Sequence, residues 1–318
     1  MIRYVLSFVL FCFFSVISFA GPIQKDESQK ITHVVYVTFD GTRWQDFFQT
    51  HEFFSKFWQK YSASVTLYGD PKSSVYMDVA SIPVSLPSYQ SQMAGSVQPC
   101  SDNGCGRIAV ETLTENILHT LKLRKKDVAT FSSWPEIGLA VEHIMGTTYA
   151  NTGNMLVTDP NTGLPDSEMA RLNDQQAIDH PGGGDRYDKY TFAQALHYLE
   201  KYQPKFLWIS LDDADEAAHQ NNVDLYRDTL RSYDSMLDVL FGTLKKLGLY
   251  EETLVIVTTD HGRGSGGDWD EHGPRYPESA QTWAFVLHGE LKEMEHGEGW
   301  SGYNTLSIRP AIEAALGV

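Results

Sequence analysis

The chain has few cysteines and a deficit of positive charge. It holds three cysteines among 318 residues, and its 25 lysine and arginine residues stand against 41 aspartate and glutamate residues, for a formal net charge of −16. A surface this acidic does not attract a nucleic-acid backbone. We therefore expect no nucleic-acid polymer as a partner, and any bound phosphate would have to be held locally, by metal.

Long apolar runs are also absent, except at the start of the chain. Arg3 supplies positive charge, residues 4–14 form an apolar core, and Ser18-Phe19-Ala20 has the small-x-small form of a cleavage site. Residues 1–20 are therefore interpreted as a signal peptide of an exported protein, periplasmic or secreted. A retained anchor is the alternative, but serines leave the apolar segment short of the roughly 20 residues that span a bilayer. After cleavage, no transmembrane anchor is expected.

Residues 21–318 are near the upper size of one domain with a single core, so one domain is expected. Only Cys100 and Cys105 remain in it, and an exported protein can oxidise such a pair. A disulfide is predicted, with a metal clip as the alternative. Turn signals dominate about residues 146–187, where one helix is predicted at 167–178. A long irregular excursion of this kind often lines or covers a site.

The fold class follows from the hydrophobic pattern. Three β-prone runs, at residues 31–39, 206–211 and 254–259, lack polar alternation, which is typical of strands buried on both faces of a parallel sheet. Residues 223–247 have apolar side chains at helical spacing and stop before Gly248, which predicts a long helix. Because strands and helices alternate, we predict an α/β fold, a three-layer α/β/α sandwich with a mainly parallel central sheet.

Other segments predict further elements of the same fold. Residues 43–61 are dense in aromatic side chains at helical spacing and predict one helix packed on the sheet. Thr112-Leu-Thr-Glu115 has the form of a capping box that opens a helix to about Lys125. Short strands are predicted at residues 128–132 and 283–287.

Acidic residues follow all three of the long β-prone runs. Asp40 follows the first, Asp212 to Asp215 follow the second, and Asp260-His261 follows the third. The carboxyl ends of parallel strands meet at one edge of a sheet, where several carboxylates repel one another unless cations compensate. Asp215 and His219 are four residues apart and would share one face of a helix. Oxygen and nitrogen donors together suit zinc or a related divalent ion, although a capped turn or an exposed acidic turn is the alternative interpretation.

A hydroxyl-x-proline motif completes the pattern, because prolines frame Ser85 in Ser81-Ile-Pro-Val-Ser85-Leu-Pro87 and a helix can begin there. In chain order, this motif joins Asp40-Gly41, the Asp215-x-x-x-His219 pair and Asp260-His261-Gly262. Together the motifs resemble those of the alkaline phosphatase superfamily, nearest its type I phosphodiesterase and nucleotide pyrophosphatase branch. The resemblance extends over residues 21–318 and implies the fold predicted above.

The resemblance also implies a serine nucleophile, Ser85, and two divalent metal ions. Zinc is expected from the donor types, with manganese or iron as alternatives. The resemblance implies that one ion is held by Asp215, His219 and His272. It implies that the other ion is held by Asp40, Asp260, His261 and the Ser85 oxygen.

Three histidines are candidates for the last ligand in the motif pattern. His272 is preferred because it follows the Asp-His-Gly motif on a glycine-rich loop. His288 and His296 also precede glycines and are the alternatives.

The chain departs from the family pattern after the motif proline. Sulfatases of the superfamily have an arginine two residues after that proline, where this chain has Tyr89, which argues against a sulfatase. The phosphodiesterase branch usually has an asparagine directly after the proline, where this chain has Ser88. Ser88, Arg43 and Arg263 are therefore candidates for contacting the substrate phosphate, although either arginine can instead pair with a nearby carboxylate. Ser81 is a rival nucleophile because a proline follows it at the same spacing.

These residues predict an exported two-metal phosphoric ester hydrolase that acts on a small phosphodiester or monoester through a phosphoseryl intermediate. A phospho-transferase, a phosphonate hydrolase or a sulfatase-like enzyme could use the same site. An alternative of another class is a catalytically silent binding protein with the same fold. Full retention of metal-type residues disfavours it, since a silent protein has no chemical need for two ion sites.

Overall fold

The computed structural model of the chain describes residues 30–73, 75–296 and 300–318. The predicted signal peptide, residues 1–20, lies outside these residues. Residues 31–318 pack as one unit. Within the described part of the chain, no helix combines the length and apolar character needed to cross a membrane.

Ten strands form two sheets among the described residues. The strands, in chain order, are β1 His33–Phe39, β2 Val65–Tyr68, β3 Met77–Asp78, β4 Val128–Ser132, β5 Tyr149–Thr152, β6 Phe206–Leu211, β7 Thr253–Thr258, β8 Ala284–Leu287, β9 Met294–His296 and β10 Trp300–Asn304. The large sheet has the order β2-β8-β7-β1-β6-β4-β5, and a small sheet has the order β3-β10-β9. In the large sheet, β7, β1, β6, β4 and β5 run parallel, while β8 is antiparallel to both of its neighbours.

Helices cover both faces of the large sheet. They are α1 Trp44–Phe48, α2 Ser55–Lys60, α3 Ser85–Ala94, α4 Leu113–Thr120, α5 Gly138–Val141, α6 Ser167–Ile178, α7 Asp188–Tyr202, α8 Asp213–His219, α9 Val223–Leu247 and α10 Ile308–Leu316. The side chains of β1 alternate between two buried clusters: Val35 and Val37 pack with α7 and α9, whereas Val34 and Tyr36 pack with α3, α4 and α10. The prediction of a three-layer α/β/α sandwich with a mainly parallel sheet is confirmed.

Local signals fix the ends of two helices. The Asn222 side chain accepts the N–H of Leu225 at the start of α9, and Gly248 ends the helix in the left-handed region at φ 72°. These bounds are the predicted ones. The capping box at Thr112 and Glu115 is present at the start of α4, but the helix ends at Thr120, before the predicted end near Lys125.

The prediction of one helix over residues 43–61 is wrong, because this segment forms two short helices, α1 and α2. The carboxylate of Asp234, on α9, accepts the backbone N–H groups of Lys56 and Phe57 at 2.9 and 2.8 Å. Since this cap comes from a residue far along the chain, α2 can begin independently of α1.

The excursion at residues 146–187 is more regular than its sequence suggests. It contains α6, at the predicted bounds, and also the edge strand β5, which pairs in parallel with β4. The sequence Tyr-Ala-Asn-Thr of β5 lacks the nearly continuous apolar run of the central strands.

Candidate metal centre

The three strand-end acids lie at one edge of the large sheet because their strands are neighbours. β1 lies between β7 and β6, with Thr38 opposite both Thr258 and Ser210. Two residues further along each parallel strand are Asp40, Asp260 and Asp212. The sheet register alone therefore places three carboxylates side by side, and all three are buried.

A glycine next to Asp40 lets the backbone approach this edge closely. The N–H of Gly41 donates to Asp260 Oδ1 at 3.1 Å. Gly41 lies in the left-handed region at φ +59°, and a Cβ at this position would collide with Asp215 Oδ1 and the Arg263 guanidinium. Glycine is thus required for the contact between the two strand ends.

Ser85 is the first residue of α3 and points into the same cluster. Val84 before it is extended, at φ −138° and ψ 146°, so the chain turns into the helix at Ser85 itself. The Ser85 Oγ lies 3.5 Å from Asp40 Oδ1 and 3.3 Å from His261 Nε2. The hydroxyl is buried at the helix N-terminus, where the helix dipole favours negative charge.

The tautomer of His261 follows from its surroundings. Its Nδ1 donates to the Gly262 carbonyl at 2.9 Å, so Nε2 carries the lone pair. That Nε2 lies 3.4 Å from Asp260 Oδ2 and 3.5 Å from Asp40 Oδ1. Because burial lowers the pKa of His261 to about 4, the ring is neutral at pH 7 and its Nε2 cannot donate a hydrogen bond to these carboxylates.

One carboxylate oxygen of the cluster also lacks a donor. Asp260 Oδ2 is buried and has no hydrogen-bond partner among the described residues. Burial raises the pKa of Asp260 to about 6, and burial together with the charges of Asp260 and Asp212 raises that of Asp40 well above its ordinary value. Acceptor atoms that face one another without donors are what a bound cation would satisfy, so the donor set fits a divalent metal ion.

A second group of donors adjoins the first. Asp215 and His219 share one face of α8, with Asp215 Oδ2 2.9 Å from His219 Nε2. His272 Nδ1 donates to the Pro83 carbonyl at 3.1 Å, so its Nε2 is an acceptor, 3.4 Å from His219 Nε2. Burial, with His261 and Arg263 nearby, lowers the pKa of His272 to about 2, so this ring is also neutral.

The structure thus brings together all seven residues predicted to hold metal. The His261 and His272 rings stack at 4.0 Å, so His261 of one predicted ligand group adjoins His272 of the other. Three sets of donor atoms lie within 4.8 Å of one another: Asp40, Asp260 and His261; Asp215, His261 and His272; and Asp40, Asp212 and Asp215. His261 therefore stands between two clusters, a geometry that suits two neighbouring ions.

The three candidate substrate contacts are engaged within the protein. The buried Ser88 hydroxyl donates to the Asp260 carbonyl at 2.8 Å. Arg43 forms a bidentate ion pair with Asp46, at 2.6 and 3.0 Å. Arg263 is fully buried and donates to Asp215 Oδ1 and, at 3.0 Å, to the Gly41 carbonyl. The two arginines therefore have the carboxylate partners that the sequence left as an alternative.

The alternatives for the last histidine ligand are His288 and His296, and the alternative nucleophile is Ser81. His288 Nδ1 donates to the carbonyl of Thr253, at the opposite end of β7 from Asp260. At roughly 3.3 Å per strand residue, these ends are on the order of 20 Å apart. The Ser81 hydroxyl donates to the Ile82 carbonyl at 3.2 Å, and the side chain of His296 lies outside the described part of the chain.

Two residues of this edge were not identified as site residues from the sequence. Asp212 contributes a donor atom to one of the three clusters, and its position directly after β6 was a usable signal. Asn103 lies on a loop after α3, where its Oδ1 accepts the N–H of Leu86 at 2.9 Å, one residue from Ser85. No local pattern marks Asn103, because only the fold brings its loop to the start of α3.

The predicted cysteine pair is joined in the structure. Cys100 and Cys105 form a disulfide across five residues of sequence. It closes the loop that carries Asn103.

The chain matches one family model of known proteins. The family model described as type I phosphodiesterase / nucleotide pyrophosphatase matches residues 109–275, just over half of the chain, and includes Asp212 to His272. Asp40 and Ser85 lie before the matched segment. No curated protein matches the chain in sequence.

Solved structures share the fold at low sequence identity. A 2-O GAG sulfatase has a TM-score of 0.58 at 11% identity, over 91% of this chain and 71% of its own. The Listeria monocytogenes lipoteichoic acid synthase LtaP has a TM-score of 0.56 at 11% identity, over 91% of this chain and 73% of its own. A mutant of the TAB5 alkaline phosphatase with Mg bound has a TM-score of 0.53 at 13% identity, over 92% and 99%. These neighbours are alkaline phosphatase superfamily proteins, and the matched family model shows that the chain belongs to the type I phosphodiesterase/nucleotide pyrophosphatase family.

Proposed function

We propose that the chain is a two-metal phosphoric ester hydrolase with Ser85 as its nucleophile. The observation that supports this proposal best is the position of the Ser85 Oγ. It lies at the N-terminus of α3, 3.5 Å from a carboxylate oxygen of Asp40 and 3.3 Å from the unprotonated Nε2 of His261. A serine in this setting adjoins both a cation site and an anion-binding helix end.

The ligands would come from the seven residues that lie together at this edge of the sheet. Asp40, Asp260 and His261, with the Ser85 oxygen, would hold one ion, and Asp215, His219 and His272 would hold the other. The mixture of carboxylates and neutral imidazoles suits zinc. When bound, the ions would lower the pKa of the Ser85 hydroxyl and offset charge on the phosphoryl group.

The protein's own groups would orient the reaction. The Ser85 Oγ attacks phosphorus and displaces the alcohol of the ester, which leaves a phosphoseryl group on the chain. Water then cleaves the bond between phosphorus and the Ser85 Oγ, restoring the hydroxyl and releasing phosphate or a phosphomonoester. The Oδ1 of Asn103 accepts the Leu86 N–H, and the Nδ2 of that amide would donate to a phosphoryl oxygen bound beside Ser85.

The substrate is proposed to be a small phosphodiester or monoester. The acidic composition of the chain disfavours a nucleic-acid polymer. Export to the periplasm or the exterior belongs to the same proposal, since it rests on the signal-peptide pattern of residues 1–20.

The test is hydrolysis of bis-p-nitrophenyl phosphate and p-nitrophenyl phosphate by purified protein, with and without a chelator, beside Ser85→Ala. We expect turnover that the chelator abolishes and zinc restores, and that Ser85→Ala lowers by at least about a thousandfold. Turnover that survives chelation, or full activity in Ser85→Ala, would contradict the mechanism. Preference for p-nitrophenyl sulfate or a phosphonate ester would favour those enzyme classes. Intact metal content without any turnover would favour the binding protein.

A further inference from the structure

The loop between Cys100 and Cys105 has little of its own to hold it in place. Its four inner residues, from Ser101 to Gly104, are exposed to solvent. Asp102 accepts the backbone N–H of Gly104 at 2.8 Å, which shapes the turn but does not attach it to the rest of the protein. Fixing an exposed backbone in one conformation costs conformational entropy, so such a loop needs a constraint to stay in one position.

Two hydrogen bonds nevertheless attach this segment to α3, one at the tip of the loop and one directly after the loop ends. At the tip, Asn103 Oδ1 accepts the N–H of Leu86. Just past the disulfide, the Gly106 carbonyl accepts the side-chain amide of Gln90 at 2.8 Å. Leu86 and Gln90 are one turn apart on α3, so the loop lies along the helix that begins with Ser85.

The contact at Leu86 falls on a backbone group that the helix itself leaves unpaired. Helices have no internal partner for the N–H groups of their first turn. Pro87 has no N–H, and the N–H of Ser88 already bonds to the Val84 carbonyl at 3.1 Å. The acceptor for the Leu86 N–H, beside Ser85, therefore comes from the loop. Because the Oδ1 of Asn103 accepts this bond, the other end of the amide is its NH2 donor.

We propose that the Cys100–Cys105 disulfide is a positioning element of the phosphate site, because it holds the Asn103 amide in place beside Ser85. Cys100 is buried in the core cluster against α3, so the bond ties the far end of the loop to a fixed point. The disulfide touches no reacting atom. It acts through Asn103 by limiting the positions available to a short exposed loop.

The proposal rests on the proposed function for its choice of phosphate as a probe. Four metal-loaded proteins are compared: the wild type, Asn103→Ala, the double variant Cys100→Ser/Cys105→Ser, and the combination of all three changes. Inhibition by inorganic phosphate and kcat/KM are measured for each, with zinc content determined to confirm equal loading. We expect Asn103→Ala to weaken phosphate binding about tenfold, the size of a lost hydrogen bond to a charged group. We expect the serine double variant to weaken it about fivefold.

The combination decides the mechanism. If the disulfide acts through Asn103, its removal changes phosphate binding by less than twofold once Asn103 is already alanine. A fivefold loss in both backgrounds would overturn the proposal, because it would show a general effect on the fold. No loss in the double variant would overturn it as well.

A second readout does not depend on catalysis. Hydrogen exchange of the Leu86 amide is followed without metal or substrate, with Asn103→Ala as the reference for a lost contact. Faster exchange in the serine double variant is the expected result, and exchange equal to that of the wild type would refute the positioning role. If wild-type protein with its metal binds no phosphate, the proposed function fails, and the exchange measurement alone decides the role of the disulfide.

Discussion

Replacing Asp260 by asparagine should stabilise the metal-free protein and at the same time remove its metal binding. Asp260 is fully buried between strand ends, and its Oδ1 accepts the N–H of Gly41 at 3.1 Å and the hydroxyl of Thr259 at 3.4 Å. Asparagine has nearly the same shape and keeps an acceptor for that N–H. It also places an NH2 group where Asp260 Oδ2 now has no partner among the described residues.

The expected gain follows from the pKa of the carboxyl. Burial raises the pKa of Asp260 from 3.8 to about 6, so its ionisation costs the folded protein about 3 kcal/mol at pH 8. Since the folded-state pKa is the higher one, the penalty is complete above pH 6 and fades as the carboxyl is protonated on acidification. About half of it remains at pH 5, and little remains at pH 4.

The measurement is denaturant unfolding of wild type and Asp260→Asn in the presence of a chelator, at pH 8 and pH 5. We expect the variant to be more stable by about 2–3 kcal/mol at pH 8 and by half as much at pH 5. Saturating zinc should reverse the order, because an ion at a thousand times its dissociation constant stabilises only the wild type, by about 4 kcal/mol. A variant that is less stable without metal at pH 8, or whose gain does not depend on pH, would refute the electrostatic reasoning.

Three further predictions concern other parts of the protein. His272→Ala should lower zinc content and activity together, whereas His288→Ala, at the opposite end of β7, should leave both unchanged, as measured by metal analysis and kcat/KM. Zinc affinity should fall by at least about tenfold per pH unit below pH 6, because Asp260, and Asp40 whose pKa is also raised, must lose their protons to bind, and competition with a chelator across pH 5–7 would show this. Thr112→Ala should lower the free energy of unfolding by about 1 kcal/mol, since the Thr112–Glu115 capping box of α4 is lost.

The parts of the fold that could be predicted are those with local signals. The central strands β1, β6 and β7 have continuous apolar runs because both of their faces are buried. The bounds of α9 were predicted because its apolar spacing ends at Gly248, a residue suited to the left-handed cap. In each case the information lies within a few residues of the element itself.

The misjudged parts depend on distant residues. The break between α1 and α2 follows from a cap supplied by Asp234, which lies 178 residues after Lys56. Strand β5 is held by pairing with β4 rather than by its own composition. Short or weakly patterned segments take their structure from neighbours that the sequence does not place beside them.

The candidate site shows the same division. Strand-end acids such as Asp40 and Asp260 could be predicted because parallel strands end at a common edge. Asn103 could not, since its contact with Leu86 exists only after the disulfide loop lies along α3. Ser88 looked exposed to substrate because it follows the motif proline, but the helix turns its hydroxyl toward the Asp260 carbonyl.

The charges at this edge explain why a phosphate site would require both ions. The candidate ligand clusters contain four buried carboxylates, those of Asp40, Asp212, Asp215 and Asp260, and among the described residues the guanidinium paired with one of them is that of Arg263. When ionised, these groups carry a formal charge of −3, which repels a phosphate ester, and one divalent ion would still leave the edge negative. A second ion would make the net charge positive, since His219, His261 and His272 add ligands without adding charge when their rings are neutral. Neutral histidines therefore supply further ligands for two ions without adding negative charge. With both ions bound, the edge could hold an anionic substrate.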